Sequence, residues 1–201
     1  MMMHAGDRPD RIGPNAILQV MAAVDARLGR TDRDALLQGA GLSRYLEAPP
    51  QDMVPQGDVA ILQRELRAQL GSTRAREVAI DAGRRTADYL LAHRIPTVVQ
   101  RMLRYLPRGL SCRLLAAAIA RHAWTFAGSG RFSVSRGAPL RFTITGNPLC
   151  SAIHTEHPVC DYFVATFEGL FQSIVDARMR VVERSCEACG DKACVFDVCW
   201  S

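Results

Sequence analysis

Apolar positions recur along this chain with two different periods. Over residues 15–28, Ile17, Val20, Met21, Val24 and Leu28 fall at helical spacing, with Asn15 placed to cap the start and Gly29 to mark the stop. Thr31 is placed to cap a second short helix over TDRDALLQGAG. The proline-rich EAPPQDMVPQGD then interrupts regular structure, because proline lacks a backbone donor and restricts the residue before it. Helical spacing resumes from Asp58 to about Leu70. From Arg74 to Leu91 a longer helix carries an inner stripe of small residues, Ala75, Ala79, Ala82, Gly83 and Thr86. Such a stripe suits either close packing against another helix or the wall of a site for a flat ligand. Pro96 and Pro107 delimit a short basic segment, TVVQRMLRYL, and a helix is predicted from about Ser111 to Trp124.

Beyond residue 130 the period changes. RFSVSRG and LRFTITG alternate apolar and polar residues around a turn marked by glycine and proline, the pattern of a hairpin. VCDYFVATFEGLFQSIVDARM returns to helical period, with Cys160, Phe163, Val164, Phe167, Leu170, Phe171 and Ile174 on one broad apolar stripe. MRVVERSC and ACVFDVCW read as two last strands joined by a turn bearing cysteine and glycine. The predicted class is α+β, a four-stranded antiparallel sheet packed with helices and preceded by N-terminal helices. The predicted division gives residues 1–73 to a tail and helices that pack on the domain or form a dimer contact, and 74–201 to the ligand-binding domain.

Composition narrows the setting. The 201 residues suffice for one domain with a sizeable core. No apolar stretch approaches the roughly 18–20 residues of a membrane span, and MMMHAGDRPDRIGPN lacks the apolar centre of a signal peptide. A cytoplasmic protein without transmembrane segments is expected. In that reducing compartment the seven cysteines point to metal or redox chemistry rather than disulfides. Only Cys112 lies in the first 149 residues, whereas Cys150, Cys160, Cys186, Cys189, Cys194 and Cys199 crowd the last 52. The net charge of +5 favours anionic partners, but no basic run, helix-turn-helix pattern or aromatic ladder points to nucleic acid.

Glu183 is out of place among apolar residues. The two-residue period of the strand from Met179 puts Met179, Val181 and Glu183 on the face that looks toward the long helix, where an unpaired carboxylate is expensive. Coordination to a cation removes that cost. Cys186 and Cys194 bracket the following turn and Cys160 comes from the helix, so three sulfurs and one carboxylate oxygen make a closed tetrahedral zinc site of structural type. Other readings use the same residues. Cys186-x-x-Cys189 with Cys194 and one of Cys199, Cys150 or Cys160 suits an iron–sulfur cluster, Cys186 and Cys189 a thiol–disulfide couple, and buried cysteines need no metal at all.

The spacing Cys160, Glu183, Cys186, Cys194 within VERSCEACGDKACVF resembles the 4-vinyl-reductase-like domain family, which includes aromatic-sensing domains of bacterial activators and is similar to Bet3-type subunits of tethering complexes. The resemblance covers residues 74–199 and implies a Bet3-like fold, zinc on these four residues, a pocket between helices and sheet, and a homodimer using the N-terminal helices. RIGPNAILQV and the absence of ATPase and DNA-binding domains are more similar to family members of bacteriochlorophyll biosynthesis than to the sensors. That implies a tetrapyrrole ligand, a porphyrin or divinyl Mg-porphyrin, carried to magnesium chelatase or a later enzyme. Arg84, Arg85, Arg101 and Arg104 are candidates to meet its propionates, although arginines on solvated helix faces give the same pattern. His122 is a candidate axial ligand, with Trp124 and Phe126 as stacking groups. The alternatives are an 8-vinyl reductase of divinyl protochlorophyllide or its accessory subunit, and a scaffold without ligand. No strand-turn-helix Gly-x-Gly-x-x-Gly site for a nicotinamide or flavin is present, which favours a non-catalytic carrier.

Overall fold

The computed structural model describes residues 10–135, 137 and 139–200. A two-residue strand β1 (Arg11–Ile12) leads into helices α1 (Asn15–Leu28), α2 (Arg30–Gly39) and α3 (Arg44–Glu47); β2 (Val54–Pro55) pairs antiparallel with β1. Helix α4 (Gln56–His93) is followed by α5 (Thr97–Tyr105), α6 (Arg108–Arg121) and the single turn α7 (Trp124–Ala127). Strands β3 (Arg131–Ser135) and β4 (Leu140–Thr145), helix α8 (Asp161–Ile174), and strands β5 (Met179–Ser185) and β6 (Cys194–Trp200) complete the chain.

The four long strands form one antiparallel sheet in the order β3-β4-β6-β5, as the alternating pattern predicts. Their inward positions include Phe132, Phe142, Ile144, Phe196, Val198, Met179 and Val181, and α8 lies across them. Phe163, Phe167 and Phe171, spaced one turn apart on α8, meet Phe142 and Phe196 at ring-centroid distances of 5.0–6.2 Å, mostly edge to face. Burying each such side chain stabilises the fold by about 1.5–3 kcal/mol relative to leaving it in water. This aromatic layer is the centre of the core.

Helix α4 covers the other side of α8. It is two helices meeting at Gly71, whose φ of 72° and ψ of 169° are open to glycine and strained for other residues, so the two separate helical patterns about this point are both realised. The small stripe faces α8: a Cβ built on Gly83 would lie 2.3 Å from the carbonyl oxygen of Tyr162, and one on Gly169 would lie 2.8 Å from Cβ of Ala87. Close helix approach is therefore the use made of the small residues. The Thr86 and Tyr162 hydroxyls share a hydrogen bond of 2.7 Å inside this seam.

Several local expectations are corrected. Pro14, with φ −64°, precedes α1 in helical conformation, and Asn15 is its first residue rather than a side-chain cap. Thr31 lies inside α2, which starts after Gly29 at φ 97°. The segment between Pro96 and Pro107 is helix α5, since each proline sits just before a helix, where its missing donor costs nothing. The helix placed from Ser111 to Trp124 starts at Arg108 and breaks at His122. The apolar stripe of α1 is spent inside the chain: Ile17, Val20 and Val24 are at most 1% exposed and belong to the same continuous core as the sheet.

On the outer face of the sheet, Asp197 of β6 accepts hydrogen bonds from Arg141 at 2.7 and 3.2 Å and from Arg184 at 3.0 Å. Those arginines hold its carboxyl below the usual range, with burial opposing them. A folded-state value below the unfolded one stabilises the native state above pH about 4, and the contribution fades as pH falls through the folded value. Asp197→Asn is expected to lower the unfolding midpoint by about 2–4 °C at pH 7, with the difference from the parent closing toward pH 3 in a series of thermal melts.

Candidate functional site

Four buried cysteines converge between α8, the β5–β6 turn and the segment joining β4 to α8. Cys160 is the residue before α8, Cys186 follows β5, Cys194 opens β6 opposite Ile144 of β4, and Cys150 comes from the connecting segment. Their sulfurs all lie within 4.8 Å of one another. The closest pairs are Cys150–Cys194 at 3.5 Å, Cys160–Cys194 at 3.6 Å, Cys160–Cys186 at 3.7 Å and Cys186–Cys194 at 4.0 Å. Sulfurs at the corners of a tetrahedron with metal–sulfur bonds of about 2.3 Å stand about 3.8 Å apart. The group is therefore sized to hold one metal ion, with no corner left open to solvent.

Glu183 stands beside this group. Its Oε2 accepts the backbone N–H of Cys160 at 2.9 Å, whereas its buried Oε1 has no partner. Burial, and then the charge of Cys186, push its carboxyl up to about 9. A β-bulge between Glu183 and Ser185 turns the end of β5 so that Cys186 enters the cluster. The structure thus brings together Cys160, Cys186 and Cys194 as the sequence pattern anticipates, sets Glu183 against them, and adds Cys150 as a fourth sulfur. Cys189 lies apart, its sulfur 4.0 Å from the Thr155 hydroxyl.

The surroundings suit thiolates. Hydrogen bonds from Cys150 and Cys160 pull the Cys186 and Cys194 thiols below their ordinary range, while Cys160 is held above it by its neighbouring sulfurs and by burial. Asn147, fully buried, donates through Nδ2 to the sulfurs of Cys160 and Cys194, each at 3.2 Å. The backbone N–H of Glu187 reaches Cys194 at 3.4 Å, and the Glu187 carboxylate fixes the loop by accepting from the N–H groups of Gly146 and Asn147 at 2.7 Å. Donors of this kind spread thiolate charge and fix ligand orientation. Arg67 of α4 reaches across to the carbonyl of Val159 at 2.7 Å; burial lowers its pKa, and the charges of Asp161, Cys160, Cys186 and Cys150 raise it back. Neither Asn147 nor Arg67 is singled out by sequence reasoning. The only sequence signal for Asn147 is its place ten residues or so ahead of Cys160, directly before a proline.

The candidate pigment contacts are dispersed. Arg84 is exposed on α4, Arg85 pairs with Asp81 at 3.1 Å, Arg101 is exposed on α5, and Arg104 donates to the carbonyl of Ser173 at 2.8 Å. His122, exposed where α6 ends, turns its Nδ1 to the carbonyl of Ala118 at 2.9 Å. Trp124 is half exposed, and Phe126 joins the aromatic core against Phe132 and Phe163. A recess of about 250 Å³ opens elsewhere, between α6 and the β3–β4 hairpin. Ala116, Ala117 and Ala120 form one wall, Phe132, Val134 and Leu140 the other, with Arg113 among the lining residues.

Residues 140–199 match the model of the 4-vinyl-reductase domain family. A bacteriochlorophyll synthase 23 kDa chain of Cereibacter sphaeroides is 43% identical over 188 residues, covering 94% of this chain and 90% of that protein. The protein of the same description from Rhodobacter capsulatus is 42% identical over 192 residues, covering 94% and 87%. Among solved structures, an H-NOX family protein studied for the function of heme distortion superposes with a TM-score of 0.60 at 11% identity, over 94% of this chain and 95% of that one, a likeness of fold.

Proposed function

The chain belongs to the bacteriochlorophyll synthase 23 kDa chain family of proteins with a 4-vinyl-reductase-like domain, and from this we propose that it serves bacteriochlorophyll biosynthesis as a tetrapyrrole-binding carrier. The observation that carries the pathway is identity of 43% and 42% to relatives matched over nearly their whole length. The carrier reading rests on the recess beside α6. Three alanines form a flat wall that a planar macrocycle can approach closely, the facing side chains are apolar, and Arg113 offers a cation to a propionate. A recess of about 250 Å³ takes an edge of a porphyrin rather than the whole ring, so the ligand stays accessible to a receiving enzyme such as magnesium chelatase. Apolar burial and anion pairing hold the pigment without a reacting group.

The metal in this reading is a structural zinc ion held by Cys160, Cys186, Cys194 and Cys150, with Glu183 as the competitor for the fourth position. Bound there, zinc joins the start of α8 to both ends of the β5–β6 turn and to the segment after β4. An ion enclosed by four ligands exchanges no electrons and admits no substrate, so its contribution is to folding.

Anaerobic titration of the pure protein with divinyl and monovinyl Mg-porphyrins, followed by absorption spectra and product analysis with and without NADPH or reduced ferredoxin, tests the proposal. Stoichiometric binding with the vinyl group intact is expected. Vinyl reduction that depends on a donor would replace the carrier by a reductase. Ala117→Glu places a carboxylate in the recess on an exposed helix position, and is expected to weaken pigment binding by about tenfold to a hundredfold with unchanged thermal stability.

A further inference from the structure

Charge and exposed apolar surface coincide on one part of the molecule. Between Asp88 and Glu156 the sequence holds no acidic residue but nine arginines, whereas the rest of the chain has 16 basic and 20 acidic residues. Among the described residues, nine large hydrophobic side chains are exposed, and seven of them lie between positions 98 and 124. In α5, Val98, Met102 and Tyr105 are 76%, 53% and 90% exposed and recur at one turn's spacing, opposite Leu103, the buried residue of that helix. In α6, Leu110 and Leu114 face outward, opposite Leu115 and Ile119. The usual polarity of a surface helix is thus inverted over two consecutive helices.

The arginines flank this surface. Arg94, Arg101, Arg113 and Arg121 are exposed, and their side chains make no hydrogen bond or ion pair among the described residues. Arg108 is instead engaged, 3.6 Å from Asp176 and stacked 3.8 Å over the Trp200 ring. A second copy of the chain laid on this face would bring the same cations together with no carboxylate in the region to pair them. An anionic lipid surface satisfies both features: apolar side chains enter the boundary between headgroups and acyl chains, arginines reach the phosphates, and tyrosine sits at the level of the headgroups.

We propose that the outer faces of α5 and α6 dock this protein on an anionic bilayer. Binding is peripheral, since no helix among the described residues is long and apolar enough to cross a membrane. The docking does not depend on the pigment reading, although Arg113 lines both this face and the recess beside α6, so that a docked molecule would hold the recess next to the lipid surface.

The test is co-sedimentation of the full chain with phosphatidylcholine vesicles with and without phosphatidylglycerol. Partition onto the mixed vesicles and not onto phosphatidylcholine alone is expected, declining as salt is raised. Val98→Ser/Tyr105→Ser should lower that partition by about tenfold, and Arg101→Gln by about fivefold, with thermal midpoint and metal content unchanged because all three side chains are exposed. Equal partition onto both vesicle types would overturn the proposal, as would a double variant that partitions like the parent. Light scattering that shows a dimer in the parent and a monomer in the double variant would give the face to a second copy instead. Retention on polyglutamate without partition onto the mixed vesicles would give it to an acidic protein.

Discussion

Cys186→Ala is expected to abolish stoichiometric zinc binding and to lower the midpoint of thermal unfolding by about 10 °C or more, a loss of several kcal/mol in a chain of this size. Cys186 sits where β5 ends, and its sulfur is 3.7 Å from that of Cys160 before α8 and 4.0 Å from that of Cys194 at the start of β6. Without it, the remaining ligands no longer enclose an ion, and the β5–β6 turn loses its connection to α8. Metal analysis by mass spectrometry and calorimetry on the same preparation check both halves of the prediction. Retained zinc at one equivalent with an unshifted midpoint would remove the cluster as a metal centre. The fourth position is decided by a pair of variants: Cys150→Ser should release the metal at far lower chelator concentration, and Glu183→Gln should retain it. The reverse result would make Glu183 the ligand and Cys150 a neighbour.

That pair of variants marks the boundary between what the sequence discloses and what it conceals. Cys160, Cys186 and Cys194 belong to regular elements, where period and turn length determine which side chains can meet, so three members of the cluster are legible from spacing. Glu183 is legible as an anomaly for the same reason: its neighbours at two-residue intervals, Met179 and Val181, are 3% and 4% exposed. Cys150 lies in a segment without regular secondary structure between β4 and α8. Its position depends on Asn147 and on the Glu187 carboxylate that holds Gly146 and Asn147 from 40 residues away. No local pattern encodes that contact.

The helices after Pro96 show the opposite failure. Val98, Met102 and Tyr105 recur at helical spacing, but periodicity alone does not say which side of a helix faces the core. The apolar side of α5 points outward because Leu103 and Gln100 anchor the other side, Gln100 through hydrogen bonds of 2.6 and 2.7 Å to the carbonyls of Leu91 and Ile95. His122 illustrates the same limit. The inward face of α6 that carries Leu115 and Ile119 does not extend to it, because the helix has ended and the backbone there has φ −105° and ψ 12°.

The small stripe of α4 supplies the second large effect: Gly83→Val is expected to lower the thermal midpoint by about 5–10 °C. Even a bare Cβ there would stand 2.3 Å from the carbonyl oxygen of Tyr162 and 2.8 Å from Cβ of Ala165, and both contacts are on the rigid body of α8. Relief requires α4 and α8 to separate, which also strains the bond from the Thr166 hydroxyl to the carbonyl of Gly83 at 3.1 Å and the Thr86–Tyr162 pair. Gly57→Ala is the matched control. Gly57 is exposed in α4 with nothing within 4 Å of an added Cβ, so that substitution should be neutral or stabilise by up to about 1 kcal/mol. If contact with α4 also sets the position of Cys160 at the head of α8, Gly83→Val will bind zinc less tightly, although the residue touches no sulfur. A variant that melts early yet holds zinc as the parent does would show instead that α8 is positioned for the metal by the sheet alone.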